Sequence, residues 1–361
     1  MRIKKITYTD PNWELDELQL NRINLIVGKN STGKTRTLQT IDLLVKMITQ
    51  KRSLNWGGLW DILFENYKGE EIEYKFSTSY KHKNEGVTFE KMIVDGRLVL
   101  SRSRHHNDGR TKIKNYNTGI YDYVYPPDNK LALHTNRDVK AYPFLEDVAN
   151  WAEQSYGFKF GNISPYSLLN QQEYDLLTTV EDIPTLFKSL KTSDKDKIIL
   201  DFNGLGYNIS NISIQGNGAT TIMLVKEKNL KKSIPHFQLS QGMFRTLALI
   251  VYVQYLTSRK KPATIIIDDL CEGLDYERAT KLGKLLFKTA LDGDIQLIAT
   301  SNDNFLMEVI DLKYLNVLFR EGKKVHGINI QSNPKLFEEF RFTGLSNFDF
   351  FSSNYIKSIQ E

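Results

Sequence analysis

The chain has 361 residues, 40% of them apolar, with a formal net charge of +5 and an isoelectric point near 8.9. That length and composition suit two or three folded units with a sizeable core, and the mild positive charge permits an acidic partner without requiring one. A single cysteine, Cys271, excludes an intramolecular disulfide. The N-terminal MRIKKITYTDPNW lacks the apolar stretch of a signal peptide. The longest apolar run, LALIVYV (247–253), falls far below the roughly 18–20 residues that a membrane span needs. The expectation is a cytoplasmic protein without membrane contact.

RIKKITYT (2–9) and RINLIV (22–27) are β-branched or alternating and predict strands. After Thr35, TLQTIDLLVKMI (37–48) places Leu38, Ile41, Leu44, Val45 and Ile48 on one helical face. EIEYKFSTSY (71–80), VTFEKMIVDGRLVLSR (87–102) and YDYVYPPDNKLALHT (121–135) alternate at period two, and the Asp-Gly of VDGRL (94–98) marks a hairpin. These predict an antiparallel β layer over 53–142. FLEDVANWAEQ (144–154) and SLLNQQEYDLLTTV (167–180) change to helical spacing with no sustained heptad, a short helical insertion over 143–199. Strands at 208–215 and 220–228 lead into a strict alternation. A helix at about 242–258 precedes ATIIID (263–268), a helix at 276–290, IQLIAT (295–300), a helix at 304–311 and YLNVLF (314–319). Alternating strands and helices demand a parallel sheet. The predicted fold is α/β, with a mostly parallel core built from 1–52 plus 200–361.

NLIVGKNSTGKTRTL (24–38) places G-x-x-x-x-G-K-T between a predicted strand and a predicted helix, the context in which this pattern binds nucleotide phosphates. Gly28 and Gly33 allow the tight turn in which backbone N–H groups of Lys29, Asn30, Ser31 and Thr32 surround the phosphates, next to a helix N-terminus. Lys34 is expected on the β- and γ-phosphates of ATP, Thr35 on Mg²⁺, and Arg36 beside them. TIIIDDLCEGLD (264–275) ends a buried strand in two acids. Asp268 is placed to hold Mg²⁺ through water, and Asp269 to act as general base toward an attacking water. In LSQGMFR (239–245), Ser240 reads either as an N-cap or as part of a second phosphate-facing helix start.

The order of GKNSTGKT, LSQGMFR, IIIDDLCEGLD and LIATSND resembles the ATP-binding-cassette ATPases. Within them it is closest to the RecF/SMC/OLD-like (AAA_21/AAA_15-like) group rather than to the transporters. The resemblance is dense in motifs over about 1–50 and 205–310. It implies a P-loop ATPase head that closes as a two-fold homodimer, or a higher homo-oligomer, with each ATP between one loop and the Ser240 and Gly242 turn of the partner, and with Lys34, Asp269 and the opposing Ser240 as the catalytic residues that help water attack the γ-phosphate. Asn30 matches the group's loop and Ser31 replaces a glycine. Asp275 matches the D-loop, where it is expected at the dimer interface, and Ser301 stands where a switch histidine is usual. Asp269 stands where a catalytic glutamate is usual, so the resemblance implies slow hydrolysis or use of ATP as a dimer clamp. The Q-loop residue falls in HTNRD (134–138) or at Gln171 or Gln172. Two roles follow: a switch in anti-phage defence holding a separate effector protein, or a RecF-like DNA-binding ATPase in replication or repair. An appended nuclease domain is not expected.

Of the remaining features, the basic tract 101–114, with Arg102, Arg104, Arg110, Lys112 and Lys114, reads as a DNA contact or as a solvated loop, and 226–232 likewise. Adjacent His105 and His106 have poor spacing for zinc. Tyr8 and Trp13 read as core or as adenine-stacking residues, and Cys271 as a small buried residue.

Overall fold

The protein is described by a computed structural model covering residues 1–54, 57–79, 86–104, 110–163, 183–216 and 221–352. The chain opens with β1 (Arg2–Asp10), β2 (Trp13–Gln19), β3 (Ile23–Val27) and helix α1 (Lys34–Ile48). There follow β4 (Gly58–Glu65), β5 (Glu71–Ser79), β6 (Gly86–Val94), β7 (Arg97–Ser103), β8 (Thr111–Lys114) and β9 (Tyr121–Val124). Next come α2 (Pro143–Glu153), β10 (Ser155–Lys159), α3 (Ile183–Ser189) and α4 (Thr192–Gly204). β11 (Ile209–Gln215), β12 (Ile222–Glu227) and β13 (Ile234–Pro235) precede α5 (Gln241–Ser258) and β14 (Ala263–Asp268). The last elements are α6 (Tyr276–Asp292), β15 (Ile295–Thr300), α7 (Asn304–Val309), β16 (Leu315–Glu321), β17 (Lys324–Ile328), α8 (Pro334–Arg341) and α9 (Asn347–Ser352). The helical pattern predicted over 167–180 lies outside the described residues. None of the described helices is long and apolar enough to cross a membrane.

The residues divide into two units, the first formed by 1–21, 28–155 and 316–335. Its strands run in the order β16-β17-β2-β1-β4-β5-β6-β7-β8-β9. Of these pairs only β17 with β2 is parallel. Period-two alternation gives the sheet one apolar face: Tyr8, Trp60 and Phe76 succeed one another across β1, β4 and β5 with ring centroids 4.6 and 5.1 Å apart. β2 escaped the alternation pattern because Glu17, at φ 40°, sits opposite a register shift in β1. A bulge of this kind breaks the period while keeping Trp13, Leu15 and Leu18 buried. Helix α1 buries Leu38, Ile41, Leu44, Val45 and Ile48, as its spacing requires.

A charged cluster is sealed inside this unit. The buried Glu90 carboxylate accepts Tyr74 Oη at 2.8 Å and the Ala132 N–H at 3.0 Å. Burial pushes its pKa up even so. Arg102, also buried, donates to the carbonyls of Lys130 at 2.8 Å and Pro126 at 2.9 Å, with Glu90 3.9 Å away. This corrects the reading of 101–114 as one basic tract. Arg102 points inward as a fastener of the 126–130 loop, and Arg104 pairs with Asp128 at 2.5 Å. A guanidinium with no exposed surface cannot meet a phosphate backbone.

The second unit comprises 22–27, 156–315 and 336–361. Its central strands run β10-β14-β15-β3, with β14, β15 and β3 parallel and every residue of those three buried. Continuous apolar runs are what parallel strands covered on both faces require. Leu25, Ala299 and Ile267 share one level, so the three strands end together. α5 is buried along most of its length, and α6 turns Ala279, Leu282, Leu286 and Phe287 inward. A separate antiparallel sheet holds β11, β12 and β13.

His134 fastens the end of α1 within the first unit. Its Nδ1 accepts the Leu131 N–H at 3.1 Å, which leaves Nε2–H to donate to the Ile48 carbonyl at 3.1 Å. Burial pushes its pKa down to about 4. An unfolded histidine titrates at about 6.5, so between these values the unfolded chain binds the extra proton and stability falls as pH drops. The melting temperature should therefore decline between pH 7 and pH 5, and His134→Gln should flatten that decline. An unchanged slope in the variant would show that other groups cause it.

Candidate functional site

The loop after β3 is shaped by two glycines that cannot be replaced without movement. A Cβ on Gly28 would lie 2.5 Å from Thr32 Oγ1 and 3.0 Å from the Leu318 carbonyl. Gly33 takes φ 99° and caps α1, and a Cβ there would stand 2.1 Å from the Trp13 ring. Trp13 is fully buried and Tyr8 nearly so, which makes both part of the core beneath the loop and not adenine platforms. Lys29, Asn30 and Ser31 are exposed, and Thr32 bonds back to the Lys29 carbonyl at 2.9 Å. The buried Lys34 donates its ammonium to the carbonyls of Gly28 at 2.6 Å and Lys29 at 3.2 Å, so its charge lies over the loop. Arg36 lies over the Trp13 ring at 4.7 Å and pairs with Asp10 at 3.1 Å.

In the second unit, the ends of the parallel strands collect a separate set of groups. Asp268 is fully buried, and its Oδ1 accepts the Thr300 hydroxyl at 2.7 Å. The same hydroxyl accepts the Asp269 N–H at 2.9 Å. Thr300 thus aligns the Asp268 carboxylate and fixes the next peptide together. Asp269 stands half-buried at φ 53°, a left-handed position that turns its side chain away from the strand's alternation. Ser301 is buried: its hydroxyl donates to the Leu270 carbonyl and accepts the Asp303 N–H, both at 3.0 Å. Cys271 is buried against the Ala279 carbonyl, and burial pushes its thiol pKa up, which leaves it unreactive.

Ser240 caps α5, accepting the Met243 N–H at 3.3 Å, and remains exposed. Gly242 packs against Leu274, where a Cβ would come within 3.2 Å. Arg245, one turn further along, gathers what surrounds this turn. It donates to the carbonyls of Gly161 and of Ile163 (3.1 Å), and to Glu272 O and Gln241 Oε1 at 3.5 and 3.3 Å. The 240–245 turn, the 160–163 segment and the 269–275 turn therefore share one guanidinium. Asp275 caps α6 through the Arg278 N–H at 3.0 Å and pairs with the Arg278 side chain at 2.5 Å, which holds its pKa down. In the HTNRD segment every polar side chain has a local partner: Asn136 bonds Ala132 O at 2.9 Å, and Arg137 pairs with Glu146 at 2.5 Å. Gln171, Gln172, His105 and His106 lie outside the described residues.

Among the described residues no group of three or more His, Cys, Asp or Glu could hold a metal by itself. The second unit presents one aligned carboxylate, Asp268, and the first unit a hydroxyl, Thr35, in the first turn of α1. Each is a hard oxygen donor of the kind that Mg²⁺ prefers. The loop likewise fits a polyphosphate: α1 begins with no side-chain cap and no acidic residue in its first turn. Sequence reading missed Arg245 and Thr300. A threonine closing the parallel strand beside Asp268 was a usable signal for the second.

A family model described as "AAA domain, putative AbiEii toxin, Type IV TA system" (AAA_21) matches residues 23–308. No curated protein matches the chain. Among solved structures, the chain is similar to the SmcHead bound to the C-winged helix domain of ScpA. The TM-score is 0.56 at 14% identity, over 92% of this chain and 99% of that one. It is also similar to the Smc head domain with an extended coiled coil bound to the C-terminal domain of ScpA, derived from Pyrococcus furiosus. Here the TM-score is 0.51 at 12% identity, over 94% and 99% of the two chains. These two likenesses concern the fold, an α/β ATPase head.

The Thr300 arrangement makes a prediction of its own. Thr300→Val should destabilise the protein by about 1–3 kcal/mol, because it removes the hydroxyl that bonds both the buried Asp268 carboxylate and the Asp269 N–H. A lower urea midpoint would register it. Thr300→Ser, which keeps the hydroxyl, should stay near wild type, and equal losses in both variants would assign the effect to the methyl group.

Proposed function

We propose, from the fact that the chain belongs to the AAA_21 family of ABC-type P-loop ATPases, that it binds ATP with Mg²⁺ and hydrolyses it slowly as a dimeric switch. One observation carries the nucleotide reading: a loop whose two glycines have no room for a Cβ opens a helix with no side-chain cap, and the Lys34 ammonium folds over that loop. Lys34 would turn from the loop carbonyls to the β- and γ-phosphates, while the N–H groups of 29–33 surround them. Thr35 and Asp268 would hold Mg²⁺, which when bound offsets phosphate charge. Asp269 would take the proton of the attacking water. Its short side chain and left-handed backbone favour slow turnover, and Ser301, already engaged with Leu270 and Asp303, adds no charge to the reaction.

Ser240 and Gly242 would face the nucleotide of a second copy, with Asp275 at the same interface, so ATP and association would be linked reciprocally. The family's printed description, a toxin of a type IV toxin–antitoxin system, favours defence, where a nucleotide-controlled switch acts with a separate effector protein. The reading is tested by light scattering with ATP and Mg²⁺. Asp269→Asn should lock into a dimer that forms only with nucleotide, and Lys34→Ala should bind no ATP and keep one mass. ATP binding by Lys34→Ala at wild-type strength would sink it.

One surface supports the alternative of a DNA-binding ATPase. Lys75, Lys91, Ser101, Lys112 and Tyr123 follow one another in register across β5 to β9. Arg110 lies over Tyr123 at 3.8 Å and Lys112 over Tyr121 at 4.0 Å. Cations interleaved with rings suit a nucleic-acid strand. Labelled single- and double-stranded DNA should bind with strong salt dependence, and Lys91→Glu with Lys112→Glu should abolish it. No binding at low salt eliminates this role.

A further inference from the structure

The 28–35 loop holds one residue in a conformation it does not favour by itself. Ser31 stands at φ 67°, in the left-handed region that a side chain with a Cβ occupies only when its surroundings enforce it. The peptide unit joining Ser31 to Thr32 is held from both sides. The Thr32 N–H donates to the Lys29 carbonyl at 3.3 Å, and the Ser31 carbonyl accepts Nη1 of Arg320 at 3.3 Å. Arg320 comes from far along the chain, near the end of β16, and is itself oriented. Its Nε donates to the Gly322 carbonyl at 2.8 Å, and its guanidinium lies 5.9 Å from the Trp13 ring, the ring that closes on Gly33. The same strand meets the loop again at Gly28, where the Leu318 carbonyl leaves no room for a Cβ. β16 therefore touches the loop at its first glycine through Leu318 and at its left-handed serine through Arg320.

We propose that Arg320 is a positioning residue of the phosphate loop, holding the Ser31 carbonyl so that residue 31 stays left-handed and the loop keeps one shape. A peptide is a rigid plane, so fixing its carbonyl also fixes the direction of the Thr32 N–H. Without the guanidinium, Ser31 relaxes toward negative φ and the loop samples shapes that do not accept phosphate. The apparent affinity for nucleotide then drops by the fraction of time the competent shape is lost. The proposal rests on the reading of 28–35 as a nucleotide loop.

The test is a double-mutant cycle on ATP·Mg²⁺ binding, measured by calorimetry for wild type, Arg320→Met, Ser31→Gly and the double variant. Arg320→Met should weaken binding about 5- to 10-fold, the scale of one typical hydrogen bond lost. In the Ser31→Gly background, where glycine adopts positive φ unaided, the same change should cost about twofold or less. KM for ATP should rise while kcat holds, since the loop is restored once nucleotide is bound. Arg320→Lys, which keeps a donor, should fall between wild type and Arg320→Met, and melting temperatures without nucleotide should match throughout. An equal penalty in both backgrounds would mean that Arg320 touches the nucleotide itself and would overturn the proposal. So would no penalty beside Ser31. Failure of the wild type to bind ATP overturns the nucleotide reading first, and this one with it.

Discussion

Parallel pairing of β14, β15 and β3 is the constraint from which the second unit's chemistry follows. Parallel strands need helices on both faces, which explains why all three are buried along their whole length and why α5 and α6 turn apolar residues inward. Parallel strands also finish at one edge, the edge at which α/β folds keep their ligands. Asp268 and Thr300 close two of them, and β3 runs directly into the loop that begins at Gly28. The buried carboxylate at that edge is tolerable because the Thr300 hydroxyl meets it.

The turns beyond those strand ends are held by side chains whose partners are mostly backbone carbonyls. Ser301 ties Leu270 to Asp303, and Arg245 joins the turn of Ser240 to the segment at Gly161 and Ile163 and to Glu272. In the other unit Arg320 does the same for Ser31. A carbonyl accepts from any well-placed donor, so such bonds fix backbone geometry without setting requirements on neighbouring side chains. The left-handed residues Ser31, Asp269 and Cys271 all sit in these turns.

The sheet unit uses charge differently. Glu90 and Arg102 are buried together, each supplied with further hydrogen bonds: Tyr74 and Ala132 for the carboxylate, the carbonyls of 126–130 for the guanidinium. Such a pair costs desolvation and adds little net stability, and removing one partner strands the other. Its contribution here is geometric, fastening an irregular loop to β6 and β7. Of the tract 101–114, Arg110, Lys112 and Lys114 are then the cations left beside the outer tyrosines, a smaller set than the linear tract suggests.

What the sequence determined by itself is whatever depends on neighbours along the chain. The glycines and lysine of 28–35 are local requirements of a phosphate loop, the spacing in α1 is a property of one helix, and the alternation after 240 compels a parallel sheet whatever the loops do. The resemblance built on those motifs agrees with the family and fold for the same reason. Only the tertiary structure could decide that Arg102 faces inward, that Trp13 closes under Gly33, that β2 pairs with β17, and that Arg245 and Arg320 hold turns remote in sequence. An arginine written in a sequence has the same charge whether it faces water or a carbonyl. Which of the two it meets is fixed by strands that come together from distant parts of the chain.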